Sequence, residues 1–252
     1  MIRIRLLLAA TLAGMVAFGC SSLQANQPQE NKDIVFQVST ISALLGGAYD
    51  GNITYQEVKR HGDFGLGTFN HLDGEMIAVD GEVYQIKTDG KAYVVDGSMK
   101  TPFAAVTFFE PDRTVHLDGS MDCKQLEGYI DKMLPTKNII YAIRVEGLFA
   151  YVKARSVPRQ AKPYPRLTEV VKHEVIFEYH DTRGTIVGFR FPTYMGHINE
   201  AGYHFHFINA ERSAGGHVHQ CRAENVRIGI DHLSRFHMTF PDNTEFYKVN
   251  VR

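Results

Sequence analysis

The sequence predicts an α+β fold, mainly mixed and antiparallel β-sheets with a few helices, arranged as two closely fused halves. Three observations carry this. Apolar and polar residues alternate over many short segments separated by Asp-Gly and other glycine turns, as half-buried strands require. Strand-like segments far outnumber helical ones and do not alternate regularly with them, which argues against a doubly wound sheet. The 252 residues are 44% hydrophobic and 22% charged, enough apolar material for one buried core or two fused halves.

In chain order, "MIRIRLLLAATLAGMVAFGC" places Arg3 and Arg5 before an apolar run from Leu6 to Phe18, then small Gly19 before Cys20. That is the layout of an export signal, so residues 1–20 are read as a signal peptide. Its ending resembles a bacterial lipoprotein signal, in which a lipidated Cys20 anchors the chain to the membrane; plain secretion with cleavage after Ala25 is the alternative. Either way the protein is expected to be exported, to the periplasm or to a lipid anchor in the bacterial envelope. Residues 21–33 are polar, contain Pro28 and show no periodicity, a tether. No later apolar stretch approaches the twenty or so residues of a membrane helix.

The folded domain is expected over residues 34–252. In "FQVSTISALLGG", Val38, Ile41, Leu44 and Leu45 keep helical spacing until Gly46-Gly47 stops it. "GEMIAVDGEVYQI" and "KAYVVDG" form an antiparallel meander with Asp-Gly turns. "CKQLEGYIDKML" puts Leu126, Tyr129, Ile130 and Met133 on one helical face, with Pro135 beyond its end. "NIIYAIRVEGLFAYVKARSV" reads as two strands turned at Glu146-Gly147, and "HEVIFEYHDTRGTIVGFRFP" as two turned between Asp181 and Gly184. "NVRIGIDHLSRFHMTF" reads as a further pair, and a sub-boundary is placed near residue 150.

A formal net charge of -1, without any run of Lys and Arg, gives no footprint for nucleic acid. With Cys20 assigned to the anchor, Cys123 and Cys221 are too few for a disulfide scaffold. One bridge between them, or two small buried thiols, both fit.

The chemistry concentrates in "GYHFHFINAERSAGGHVH", residues 202–219, which holds four of the twelve histidines. Residues two apart share a strand face, so His204 and His206 project together while Tyr203, Phe205 and Phe207 face a core. Gly215-Gly216 after "NAERSA" can return the chain antiparallel and bring His217 to the first two. Three imidazoles suit Zn, Cu, Fe or Ni, and three protein ligands with an open position mark a catalytic metal. A hairpin of surface or hydrogen-bonded core histidines is the plainer alternative. His219 and Cys221 read as supporting residues, and His197, His232 and His237 as ordinary ones. "HFHFINAE" also fits a cupin spacing with Glu211 as carboxylate ligand, although His232 and His237 lack the framing of the further cupin motif.

Four segments in order, "HGDFGLGTFNHLDGEMIAVDGEVYQ", "YAIRVEGLFAYVKARSVPRQ", "FRFPTYM" and "GYHFHFINAERSAGGHV", resemble the alpha-acetolactate decarboxylase family across most of residues 34–250. The resemblance implies one zinc ion per chain on His204, His206 and His217, a site glutamate at Glu75, a site arginine at Arg155 and a pocket residue at Thr68. It also implies a tail glutamate at the metal, for which Glu245 is the candidate beside Asp242, and a homodimer.

The implied reaction converts (S)-2-acetolactate to (R)-acetoin and CO2, in acetoin and butanediol metabolism, without an organic cofactor. Loss of CO2 leaves an enediolate whose charge a metal can absorb. Arg155 would hold the carboxylate or the developing charge, and Glu75, raised by burial, would return the proton. Without the resemblance, Arg155 would read as an ion-pair member and Glu75 as a solvated turn residue. A cupin-like oxygenase or isomerase, and a zinc-binding envelope lipoprotein without turnover, are the competing readings.

Overall fold

The computed structural model describes residues 32–251, so the expected signal, Cys20 and nearly all of the tether lie outside the described residues. The first part of the domain contributes β1 (Ile34–Val38), β2 (Ile53–Thr54), β3 (Phe64–Thr68), β4 (Glu75–Val79), β5 (Glu82–Ile86), β6 (Ala92–Val94), β7 (Lys100–Thr101) and β8 (Phe103–Thr107). The second contributes β9 (Arg113–Asp122), β10 (Ile140–Ser156), β11 (Val175–Phe191), β12 (Gly202–Asn209), β13 (Gly215–Leu233) and β14 (Arg235–Thr239). Helices α1 (Ile41–Leu45), α2 (Tyr55–Val58), α3 (Cys123–Asp131), α4 (Leu167–Val170) and α5 (Thr244–Lys248) are short.

Seven strands form one sheet in the order β14-β1-β8-β3-β4-β5-β6, antiparallel except for β1 beside β14. The other sheet runs β10-β11-β12-β13-β9, and an additional β10–β13 ladder closes its first four strands into a barrel. These two layers are the fused halves, and they meet across a shared apolar core. Ile77 and Val79 of β4 face that core together with Ala142 of β10, Val187 and Phe189 of β11 and Ile208 of β12. The neighbours Met76 and Ala78 point to the opposite face of the sheet, where Tyr55 and Val58 of α2 cover them. The barrel interior is filled by Ile143, Phe149, Phe205, Phe207 and Ile228, with Leu126 and Ile130 of α3 packed against it.

Several expectations need correction. "NIIYAIRVEGLFAYVKARSV" is one 17-residue strand, not a hairpin, and so is the segment holding Asp181 to Gly184. Gly147 bends β10 without reversing it: its φ is +153°, a Cβ there would lie 2.6 Å from the Asn225 carbonyl oxygen, and the ladder with β13 shifts register beside it. Asp181, at φ +45°, kinks β11 between the pairs His180–Tyr151 and Thr182–Phe149, so the two strands curve together around the barrel. β13 and β14 are not a hairpin either, because β14 leaves the barrel to join β1. The expected boundary near residue 150 falls at Ala150, inside β10; the layers divide instead between β8 and β9. The first predicted helix is confined to α1, since Val38 belongs to β1 and Thr40 caps the helix by accepting from the Ala43 amide.

α3 forms as its periodicity predicts, with Asp122 and Gln125 making a capping box. A disulfide joins Cys123, its first residue, to Cys221 on β13.

Gly147→Ala is expected to destabilise the protein by at least about 2 kcal/mol, because a side chain there meets backbone in a disfavoured conformation. Gly128→Ala in α3, where a Cβ meets nothing within 4 Å, is expected to be neutral or to stabilise by up to about 1 kcal/mol. Denaturant unfolding of both variants checks the contrast.

Candidate metal centre and pocket

The period-two alternation of β12 sends Phe205 and Phe207 into the barrel and His204, His206 and Ile208 toward the other sheet. β12 returns as β13 with His206 opposite His217, as the hairpin reading predicts. On its other edge His217 faces Arg155 of β10. Gly216 makes this approach possible: its φ is +150°, and a Cβ there would sit 2.5 Å from the Arg155 carbonyl oxygen.

The three imidazoles converge. His217 Nδ1 lies 3.3 Å from His204 Nε2 and 3.3 Å from His206 Nε2. A tetrahedral ion with Zn–N bonds of about 2.0–2.1 Å needs N···N edges of about 3.3 Å; both edges from His217 match it, and all three donor atoms lie within 4.8 Å of one another. His206 donates from Nδ1 to the Met76 carbonyl at 2.8 Å, which leaves its Nε2 lone pair toward the cluster. Burial first, then the Arg155 charge, lowers His204 to about 3. Burial likewise holds His206 and His217 well below the usual histidine range, so all three are neutral ligands at ordinary pH.

The opposite sheet supplies the acid. Glu75 opens β4 on the same face as Ile77 and is 5% exposed. Its Oε1 accepts from Arg155 at 2.7 Å, and its Oε2 lies 3.7 Å from His206 Nε2. Burial raises the Glu75 carboxyl against the opposing pull of Arg155. Arg155 also reaches Glu174 at 3.0 Å, and Glu174 in turn pairs with His219 at 2.9 Å. Thr68 borders the same cavity, its hydroxyl donating to the Gly74 carbonyl at 2.7 Å and so fixing the turn that delivers Glu75.

Thr68, Glu75, Arg155, His204, His206 and His217 thus line one cavity of about 380 Å³ between the layers, within the range of small-molecule sites. Ile41, Leu44, Leu72, Phe103, Val157 and Leu167 form its apolar wall. Glu245 is not brought to the cluster: it sits in α5 and pairs with Lys162. Glu211 is exposed in the hairpin turn and does not line the cavity, which removes the cupin-type ligand set. His197, His232 and His237 lie elsewhere, beside Ser42, Asp112 and Phe36.

Sequence reasoning missed Glu174, Glu200 and the Met76 carbonyl. Glu174 precedes β11 with no motif around it, and a backbone carbonyl leaves no trace in sequence.

The model of the family described as alpha-acetolactate decarboxylase matches residues 35–252. The chain belongs to the alpha-acetolactate decarboxylase family. It is 52% identical over 217 residues to the alpha-acetolactate decarboxylase of Methylococcus capsulatus, covering 86% of this chain and 84% of that one. It is 50% identical over 219 residues to that of Methanosarcina mazei, covering 87% and 76%. The crystal structure of alpha-acetolactate decarboxylase from Bacillus subtilis strain 168 superposes with a TM-score of 0.85 at 43% identity, covering 86% of this chain and 93% of that chain.

The buried histidines give a decarboxylase-family site with a pH signature. Between pH about 6.5, the unfolded histidine value, and the lower folded values, the unfolded chain binds protons that the folded one does not, so stability falls as pH falls. Glu75 opposes this: its raised folded value contributes stability at low pH that is lost as pH rises, but it is one group against three. Unfolding stability of the metal-free protein should hold steady from pH 8 to about pH 6.5 and then, from there to pH 5, fall by on the order of 1 kcal/mol per pH unit for each histidine. A flat profile contradicts neutral burial of the cluster.

Proposed function

We propose that this chain decarboxylates 2-acetolactate to acetoin and CO2, with a zinc ion held by His204, His206 and His217. The observation that carries the reading is the convergence of the three imidazoles with Glu75 and Arg155 in one cavity, in a member of this family. A divalent ion on three neutral imidazoles supplies Lewis acidity for the charge that develops as the carboxylate leaves.

The chain's own residues do the rest. Arg155 is the cation that can receive the substrate carboxylate, and its guanidinium geometry suits a bidentate grip. In the resting site Nη1 of that guanidinium is taken by Glu75, so a proton on Glu75 frees this end for substrate while Glu174 keeps Nε. Once the C–C bond breaks and CO2 departs with the carboxyl carbon, the bonding pair stays on the substrate as an enediolate. Glu75 then gives its proton to the enediolate carbon that lost the carboxylate, which yields acetoin, and as a carboxylate Glu75 re-pairs with Arg155. The apolar wall keeps water from the reacting carbon and seats the substrate's methyl groups.

We also propose an exported enzyme, on the basis of the N-terminal pattern ending at Cys20 and of the Cys123–Cys221 disulfide, which suits an oxidising compartment. A homodimer is part of the same proposal; the β6 edge, with Tyr93 and Val94 exposed, would permit one.

Glu75→Gln is expected to retain zinc and lose at least about 100-fold in acetoin formation. His206→Ala is expected to lose both metal and turnover. Metal content after dialysis and an acetoin assay check the pair, and undiminished turnover in Glu75→Gln would remove its role.

A further inference from the structure

His204 Nδ1 is shielded from solvent and has no hydrogen-bond partner among the described residues. Its Nε2 faces His217, so when Nε2 offers a lone pair to a cation, the ring proton must sit on Nδ1. His206 solves the same problem with the Met76 carbonyl; His204 has no carbonyl in reach.

The acid beside it is Glu200, whose Oε2 lies 3.7 Å from His204 Nδ1, just beyond hydrogen-bond distance. Glu200 sits on the connection from β11 to β12, and its backbone is pinned: its amide donates to Asn199 Oδ1 at 2.7 Å, while buried Asn199 donates to Gln37 of β1 at 2.8 Å. The carboxylate is half-exposed, so a rotation of the side chain closes the gap without moving the backbone. It borders both the main cavity and a small polar recess behind His204 that Glu127 and His219 share.

We propose that Glu200 is the positioning residue of His204, accepting its Nδ1 proton and thereby fixing Nε2 as a metal-facing donor. The inference rests on the reading of the three histidines as a metal centre. A carboxylate on the far nitrogen orients the ring and raises its basicity toward the ion.

The test uses the purified full chain as parent, Glu200→Ala, Glu200→Gln and Glu127→Gln, with zinc affinity read by competition against a chromogenic chelator. Glu200→Ala should weaken zinc binding 10–100-fold and shift the visible bands of the Co2+-loaded protein, as second-layer changes do. Its metal-free unfolding midpoint should not move. Glu200→Gln, whose amide oxygen still accepts, should recover most of the affinity, and Glu127→Gln should stay within about twofold of the parent. The proposal is overturned if Glu200→Ala binds zinc within about twofold of the parent, if Glu200→Gln loses as much as Ala, if the loss follows Glu127, or if the parent binds no zinc. A parent that binds zinc but does not turn over 2-acetolactate would sink the decarboxylase reading and leave this one standing.

Discussion

The hydrogen bond from His206 Nδ1 to the Met76 carbonyl is the joint on which the site depends. It crosses from the barrel to the seven-stranded sheet, and the carbonyl it uses belongs to the residue after Glu75. One backbone position therefore sets the tautomer of a ligand and, a residue away, the place of the carboxylate. The Glu75–Arg155 pair makes the same crossing beside it, since Arg155 faces His217 across the β10–β13 ladder. Displacing β4 would move acid, arginine and histidine at once.

The electrostatics of the pocket set one guanidinium and two carboxylates against three imidazoles. Arg155 stands beside three buried neutral imidazoles and is balanced by Glu75 on one side and Glu174 on the other. Breaking a buried pair of this kind usually costs about 3–5 kcal/mol, because it strands the remaining charge. That cost explains why Arg155 is held from two directions, and why a proton on Glu75, which burial favours, changes what Arg155 can bind. The acid and the cation work as a unit, coupled by a 2.7 Å contact.

Much of this is legible in the sequence where local periodicity decides it. His204 and His206 share a face because strands alternate, and Gly215-Gly216 marks the return that brings His217 back. The meander around Asp80-Gly81 and the amphipathic α3 follow the same logic. The barrel does not, because Glu146-Gly147 and Asp181 to Gly184 carry turn residues that here serve curvature: the chain bends around a closed barrel instead of reversing. Glu75 and Arg155 lie 80 residues apart and meet only through the layer packing, so family resemblance had to supply them. Glu174 and Glu200 had neither periodicity nor resemblance to mark them, being contacts between remote strands and a connecting loop.

Metal-dependent turnover tests the account most directly. The purified protein should form acetoin from racemic 2-acetolactate, lose that activity on treatment with a strong chelator, and regain it when zinc is added back. Turnover untouched by complete metal removal, or none with zinc fully bound, would contradict the account.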